Sequence, residues 1–205
     1  PPGEKRKDRA EHPGRVLEAL SEWTMKNRFI IHVGYGKTAT TWMQERIFKR
    51  LGPDLYAGKT EDHYPRWLID AAYLDDYSYR ERRYDLCRTM LDLSAGRQSL
   101  LISSEAFTNL SVVHPMAHRV HDLFGDAKIL LVLRNPIDWL ISNYKYCVEY
   151  EQFTLDLEDY IDFGERRAPF AIEKRPPFYI PDLFYDEVAQ TYRTLFGSER
   201  VCILL

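Results

Sequence analysis

The sequence is poor in several things, and each shortage removes a class of protein. Cysteine occurs three times, at Cys87, Cys147 and Cys202. An odd number without C-x-x-C spacing argues against a disulfide framework and a zinc-thiolate site, and fits a reducing compartment. The expected location is therefore cytoplasmic. No apolar run approaches the roughly 18 residues of a membrane span, and no signal-peptide pattern opens the chain. There is no excess of basic residues either. The net charge is −3, so the broad positive field of a nucleic-acid binder is missing and any anion site must be local. Internal repeats and low-complexity stretches are also absent.

What is present fits one α/β domain of 205 residues. Residues 1–28 read as a flexible N-terminal segment and lead-in, polar and basic at the start, and residues 29–205 as the domain. Short apolar runs at 29–33, 99–103, 128–133 and 201–205 alternate with helical patterns. That alternation predicts a central parallel sheet covered on both faces, a three-layer α/β/α arrangement of the P-loop NTPase-like kind. Helices are expected at about 38–50, with Trp42, Met43, Ile47 and Phe48 on its buried stripe, and at about 79–93, 115–124, 136–150 and 182–196. The last carries Phe184, Val188, Tyr192 and Leu195 on one face. Residues 168–181, with four prolines, read as a long irregular loop and a lid. The chain stops inside a buried-strand pattern, which leads to the expectation that part of the protein follows it.

The segment Phe29-Ile30-Ile31-His32-Val33-Gly34-Tyr35-Gly36-Lys37-Thr38-Ala39-Thr40-Thr41-Trp42 carries the most information. A strand breaks into a glycine-lysine turn, and hydroxyl-bearing residues then open a helix. Backbone N–H groups at such a helix start, the helix dipole and one lysine together make a cradle for a phosphate or sulfate ester. A nucleoside-triphosphate P-loop, G-x-x-x-x-G-K-[ST], would need glycine at position 31, which is Ile31. The later strands end in Ser103-Ser104-Glu105 and Leu133-Arg134-Asn135, so no strand ends directly in an acidic residue placed for Mg²⁺.

After the third strand comes Arg134-Asn135-Pro136-Ile137-Asp138, with Ser142 two turns into the helix. Asn135 suits the cap and Pro136 the first helical position. Arg134 then lies at the carboxyl edge of a parallel strand, where open α/β sheets bind ligands. With Ser142 it can grip a second phosphate, and the alternative that it pairs with Asp138 stays open.

Y-G-K-T-A-T-T-W followed by R-N-P-x-D-x-x-x-S resembles the sulfotransferases that use 3′-phosphoadenosine-5′-phosphosulfate (PAPS), over about residues 29–205. The resemblance implies sulfuryl transfer from PAPS to an acceptor hydroxyl of a small molecule or glycan, leaving adenosine 3′,5′-bisphosphate (PAP), without a metal. It implies that Gly36, Lys37, Thr38, Ala39, Thr40 and Thr41 hold the 5′-phosphosulfate, that Trp42 packs near adenine, and that Arg134 and Ser142 hold the 3′-phosphate. Lys37 becomes the catalytic cation. Two positions depart from the family's P-K-[ST]-G-T-T: Gly36 replaces proline and Ala39 replaces glycine. Ala39 keeps the backbone accessible if its φ is negative, so altered fit rather than lost binding is expected. The family's downstream basic-glycine segment over the 3′-phosphate has no counterpart.

For the general base Glu105 comes first, because it follows the strand 99–103 at the same sheet edge. A turn-capping role for it, and Glu61 or His63 as the base, remain open, whereas Glu45 is expected to face solvent. His114, His118 and His121 have metal-like spacing, but a solvated helix face explains them better. Tyr64, Trp67, Tyr73, Tyr77, Tyr79 and Tyr84 suit an acceptor cleft and ordinary packing equally. Two other classes stay in view: a P-loop small-molecule kinase and a non-catalytic nucleotide-binding domain.

Overall fold

The computed structural model describes residues 28–58, 65–108, 113–150, 154, 156–165 and 183–205. Four strands, β1 (Arg28–Gly34), β2 (Ser99–Ser103), β3 (Lys128–Val132) and β4 (Val201–Leu204), form one sheet in the order β2-β1-β3-β4, every pair parallel. Seven helices complete the described chain: α1 (Thr40–Arg46), α2 (Arg66–Tyr73), α3 (Asp76–Ser94), α4 (Val113–Phe124), α5 (Pro136–Tyr150), α6 (Leu157–Glu165) and α7 (Tyr185–Phe196). The α/β fold is as the alternation predicted.

Side chains of β1 alternate between the two faces of the sheet. Phe29, Ile31 and Val33 are buried in the main core, where the Phe29 ring meets Phe124 of α4 edge-on at 5.3 Å. His32, on the opposite face, is fully buried against Phe48 and beneath α1. Helices therefore cover both faces. β4 is an edge strand. Its Val201 is buried, but Cys202 and Leu204 are exposed, so it is not the fully buried strand that its apolar run suggested.

The chain leaves β1 toward β2 on one side and leaves β3 toward β4 on the other. The adjacent carboxyl ends of β1 and β3 thus form the topological switch point of the sheet, the usual crevice for ligands. Both anion motifs lie in the two connections that start there.

Two short helices escaped the periodicity reading. α2 follows Pro65 and is braced at Asp70 by Arg66 at 3.0 Å and Arg82 at 2.6 Å. α6 starts where Asp156 Oδ1 accepts from the Asp159 N–H at 2.9 Å. α3 begins three residues earlier than expected because Asp75 caps the Ser78 N–H at 2.9 Å. α7 begins at Tyr185 rather than 182, and Phe184, half exposed, precedes it instead of joining its buried face. The lid segment, Glu61, His63 and Tyr64 lie outside the described residues.

Candidate active site

Gly34 ends β1 with φ +109°. A Cβ there would come within 2.6 Å of Thr108 Oγ1 and 3.1 Å of Glu105 Cα, so only glycine lets the strand leave the sheet against the turn Glu105–Thr108. The next residues are held from two sides. The Trp139 indole of α5 donates to the Gly36 carbonyl at 2.8 Å. On the other side the Glu105 carboxylate lies 3.9 Å from where a Gly36 Cβ would stand.

Inside the loop, Tyr35 is buried and its carbonyl accepts from both Thr38 Oγ1 (2.6 Å) and Thr40 Oγ1 (2.8 Å). These hydroxyls fasten the loop to itself. Lys37 and Ala39 both adopt left-handed backbone, φ 61° and 62°. Alternations of this kind turn successive N–H groups into an anion-binding concavity. Ala39 is the residue before α1, with ψ 23° and no side-chain cap. The condition of a negative φ at Ala39 is thus not met. The turn itself demands αL, the conformation a glycine would supply freely, and alanine there costs about 1–2 kcal/mol.

The expected stripe of α1 is corrected too. Phe48 is buried as expected, but Trp42 is 56% exposed and Ile47 is also exposed, and Thr40 and Gln44 are the buried residues of the helix. The helix stops at Arg46 and the chain continues as a 3₁₀ turn, Phe48–Leu51. Its facing is set by polar anchors rather than by hydrophobicity: Thr40 on Tyr35, and Gln44 Nε2 donating to Ser103 Oγ at 3.0 Å. Ser103 Oγ also meets His32 Nδ1 at 2.7 Å. Burial depresses the His32 pKa to about 4, so this floor under the loop is uncharged at neutral pH. Trp42 is left at the mouth of the loop.

From β3, Arg134 reaches across the crevice, its Nη1 donating to the Lys37 carbonyl at 3.3 Å. Asn135 closes the start of α5, its Oδ1 accepting from the N–H groups of Ile137 (2.9 Å) and Asp138 (3.4 Å). Ser142 is half-buried on α5 between Trp139, one turn before it, and Tyr146, one turn after. Trp139 binds the Gly36 carbonyl and the Tyr146 ring lies 3.3 Å beneath Lys37 Nζ. Ser142 therefore faces the same loop.

Glu105 is exposed, and the cap of its turn is supplied by Ser104, whose Oγ accepts from the Ala106 N–H at 3.2 Å. Its carboxylate lies toward Gly36, and burial, together with the Glu105 charge, raises the pKa of Tyr73. Of the other aromatics noted in the sequence, Tyr79 is buried, Trp67 and Tyr84 pack against the core, and Tyr77 stands 74% exposed. Glu45 is exposed. His118 is exposed too, and the His121 ring packs edge-on against Phe196 at 5.1 Å.

No family model matches the chain, and no curated protein does. Among solved structures, a sulfotransferase from Alicyclobacillus acidocaldarius matches with a TM-score of 0.59 and 25% identity, over 87% of this chain and 72% of that one. The fold is sulfotransferase-like.

Within this sulfotransferase-like fold, sequence reasoning passed over Trp139, Tyr146 and Tyr185. Tyr185 opens α7 with its ring edge-on to Tyr35 at 4.9 Å. Burial pushes its pKa up to about 12, against the opposing pull of Arg134. Its buried hydroxyl has no partner among the described residues. An aromatic placed just before an amphipathic run gives no periodic signal, so only the fold shows it beside Arg134. The three cysteines are free, Cys87 and Cys147 buried and Cys202 exposed. Among the described residues no helix is long and apolar enough to cross a membrane.

Proposed function

We propose that this chain transfers a sulfuryl group from PAPS to an acceptor hydroxyl and releases PAP. One observation carries the reading: Arg134 donates to the backbone carbonyl of Lys37, so the two cation-bearing turns that follow β1 and β3 border one crevice. PAP has a phosphate at each end of its ribose and suits two such grips, whereas ATP offers a single phosphate chain. The surroundings fit the nucleotide. Lys37 and Ala39 give the loop two left-handed kinks, Ser142 faces the same loop, and Arg134 acts on the Tyr185 hydroxyl, which has no partner among the described residues. The likeness to a sulfotransferase supports the chemistry at a coarse level.

In this reading Gly36, Lys37, Thr38, Ala39, Thr40 and Thr41 hold the 5′ end through the backbone, and exposed Trp42 covers adenine. Arg134 and Ser142 hold the 3′-phosphate. Lys37 neutralises the charge that builds on the leaving phosphate oxygen as its bond to sulfur breaks. Glu105 takes the acceptor proton as the new oxygen–sulfur bond forms. Holding the reactants in line and stabilising developing charge supply most of the rate. Lysine and loop amides serve the leaving group, so the mechanism calls for no metal.

Calorimetric titration with PAP, with and without Mg²⁺, tests the proposal. We expect metal-independent binding that is tighter than for ATP. Tighter, Mg²⁺-dependent ATP binding would instead mark a kinase. PAP binding without sulfate transfer to any acceptor would mark a nucleotide-binding domain.

A further inference from the structure

We infer that Ser103, held between Gln44 and His32, is the positioning residue that registers the base Glu105 against the donor loop. The inference rests on the sulfotransferase reading above and adds to it the part that keeps donor side and acceptor side in register. Three segments meet at one hydroxyl. Ser103 is the last residue of β2 and pairs with His32 of β1. Its Oγ accepts from Gln44 Nε2 of α1 at 3.0 Å and lies 2.7 Å from His32 Nδ1. Glu105 stands two residues further on, and the intervening Ser104 N–H binds the His32 carbonyl at 2.9 Å. The cradle side is tied to the same point. Thr40 binds back into its own loop, whereas Gln44 fastens α1 to the strand that delivers the base.

The bonding runs one way. The Gln44 amide nitrogen fills the acceptor side of the hydroxyl, and the single hydroxyl proton has His32 Nδ1 as its acceptor among the described residues. Donation therefore passes from Gln44 to Ser103 to His32, and the imidazole proton sits on Nε2. With the proton on Nδ1 instead, the hydroxyl would accept twice and its own proton would be stranded. All three side chains are buried, His32 and Ser103 completely, so water cannot replace a lost bond. His32 Nε2 has no hydrogen-bond partner among the described residues. A buried nitrogen left unpaired costs stability, and an apolar side chain would fill the space beside Phe48 without that cost. What the imidazole supplies is the acceptor that fixes the direction of the Ser103 hydroxyl.

A double-mutant cycle tests this, with kcat from labelled PAPS and p-nitrophenol or chitotetraose as acceptor, PAP affinity from calorimetry, and urea unfolding to choose a temperature at which each variant is folded. We expect Ser103→Ala to lower kcat at least tenfold in the parent chain but less than twofold in a Glu105→Gln background, because a base already removed cannot be misplaced. Gln44→Met keeps the length of the side chain and loses the donor, and should weaken PAP at least threefold. Imidazole ¹⁵N shifts of the folded parent should show His32 protonated at Nε2. Equal fold-losses from Ser103→Ala in both backgrounds, unchanged PAP affinity in Gln44→Met, or a proton on Nδ1 would overturn the inference while leaving the donor reading intact. Absence of PAP binding by the parent protein, or PAP binding without transfer to either acceptor, would overturn the sulfotransferase reading itself.

Discussion

The two helices that begin at the switch point, α1 after β1 and α5 after β3, start in opposite ways. α5 is closed by its own chain: Asn135 satisfies two of its leading N–H groups and Trp139 N–H returns to the Asn135 carbonyl. α1 has no side-chain cap, and the nearby threonine hydroxyls are turned inward onto Tyr35. Its first bond back to the cap is Met43 N–H to the Ala39 carbonyl, so the amides of residues 40–42 come before it. A capped helix offers a ligand its side chains, and an uncapped one offers its backbone. On the proposed reading, the difference would let neighbouring strand ends recognise two anions by different means.

The contrast can be broken at the α1 end first. Lys37→Ala should lower sulfate transfer on the order of a thousandfold, as when a main charge-stabilising donor is removed. Glu105→Gln should lower turnover at least tenfold with PAP binding intact. Near-normal turnover from labelled donor in either variant would remove that residue from the chemistry. The uncharged floor under α1 predicts an acid sensitivity. His32 titrates at 6.5 when unfolded and about 4 when folded. The unfolded chain therefore binds the extra proton first, and stability present at neutral pH is lost as pH falls from 6.5 toward 4, by about 3 kcal/mol in all. Urea unfolding across that range should show the slope, and His32→Asn should flatten it.

At the α5 end the side-chain grip and the cap should separate. Arg134→Ala should weaken PAP by about 2–3 kcal/mol, roughly 30–150-fold, with little change in unfolding. Asn135→Ala should cost about 1 kcal/mol of stability and leave PAP affinity nearly unchanged. Equal effects of both variants on PAP would mean that α5 also binds through its amides. The smallest change is Ala39→Gly, which relieves the αL alanine. A gain of about 1 kcal/mol in denaturant is expected, and a loss would show that the turn is held by something other than backbone preference.

Much of this was legible in residue order. Apolar runs separated by helical periods announced a parallel sheet, and the turn residues Gly34 to Thr41 and Arg134 to Pro136 marked two strand ends that the fold places side by side, because strand-end turns use a small set of residues. Three features were not legible. The stripe of α1 follows hydrogen bonds from Thr40 and Gln44, which hydrophobic periodicity does not weigh. The φ of Ala39 follows from the turn around it, since alanine itself prefers the opposite sign. Trp139 and Tyr146 read as ordinary helix aromatics until β3 is seen beside β1, which brings residues about a hundred positions apart into contact.

The run Trp139, Ser142, Tyr146 on α5 has a geometric consequence. One rigid rod carries the clamp on the loop and the residues flanking its lysine, and at 1.5 Å per residue the span from Trp139 to Tyr150 is about 16 Å. It acts as a ruler whose zero is the indole on Gly36. Inserting one residue into α5 ahead of Trp139 would turn every later mark on that ruler by about 100°, so the clamp and the lysine's flank would lose registration in a single step.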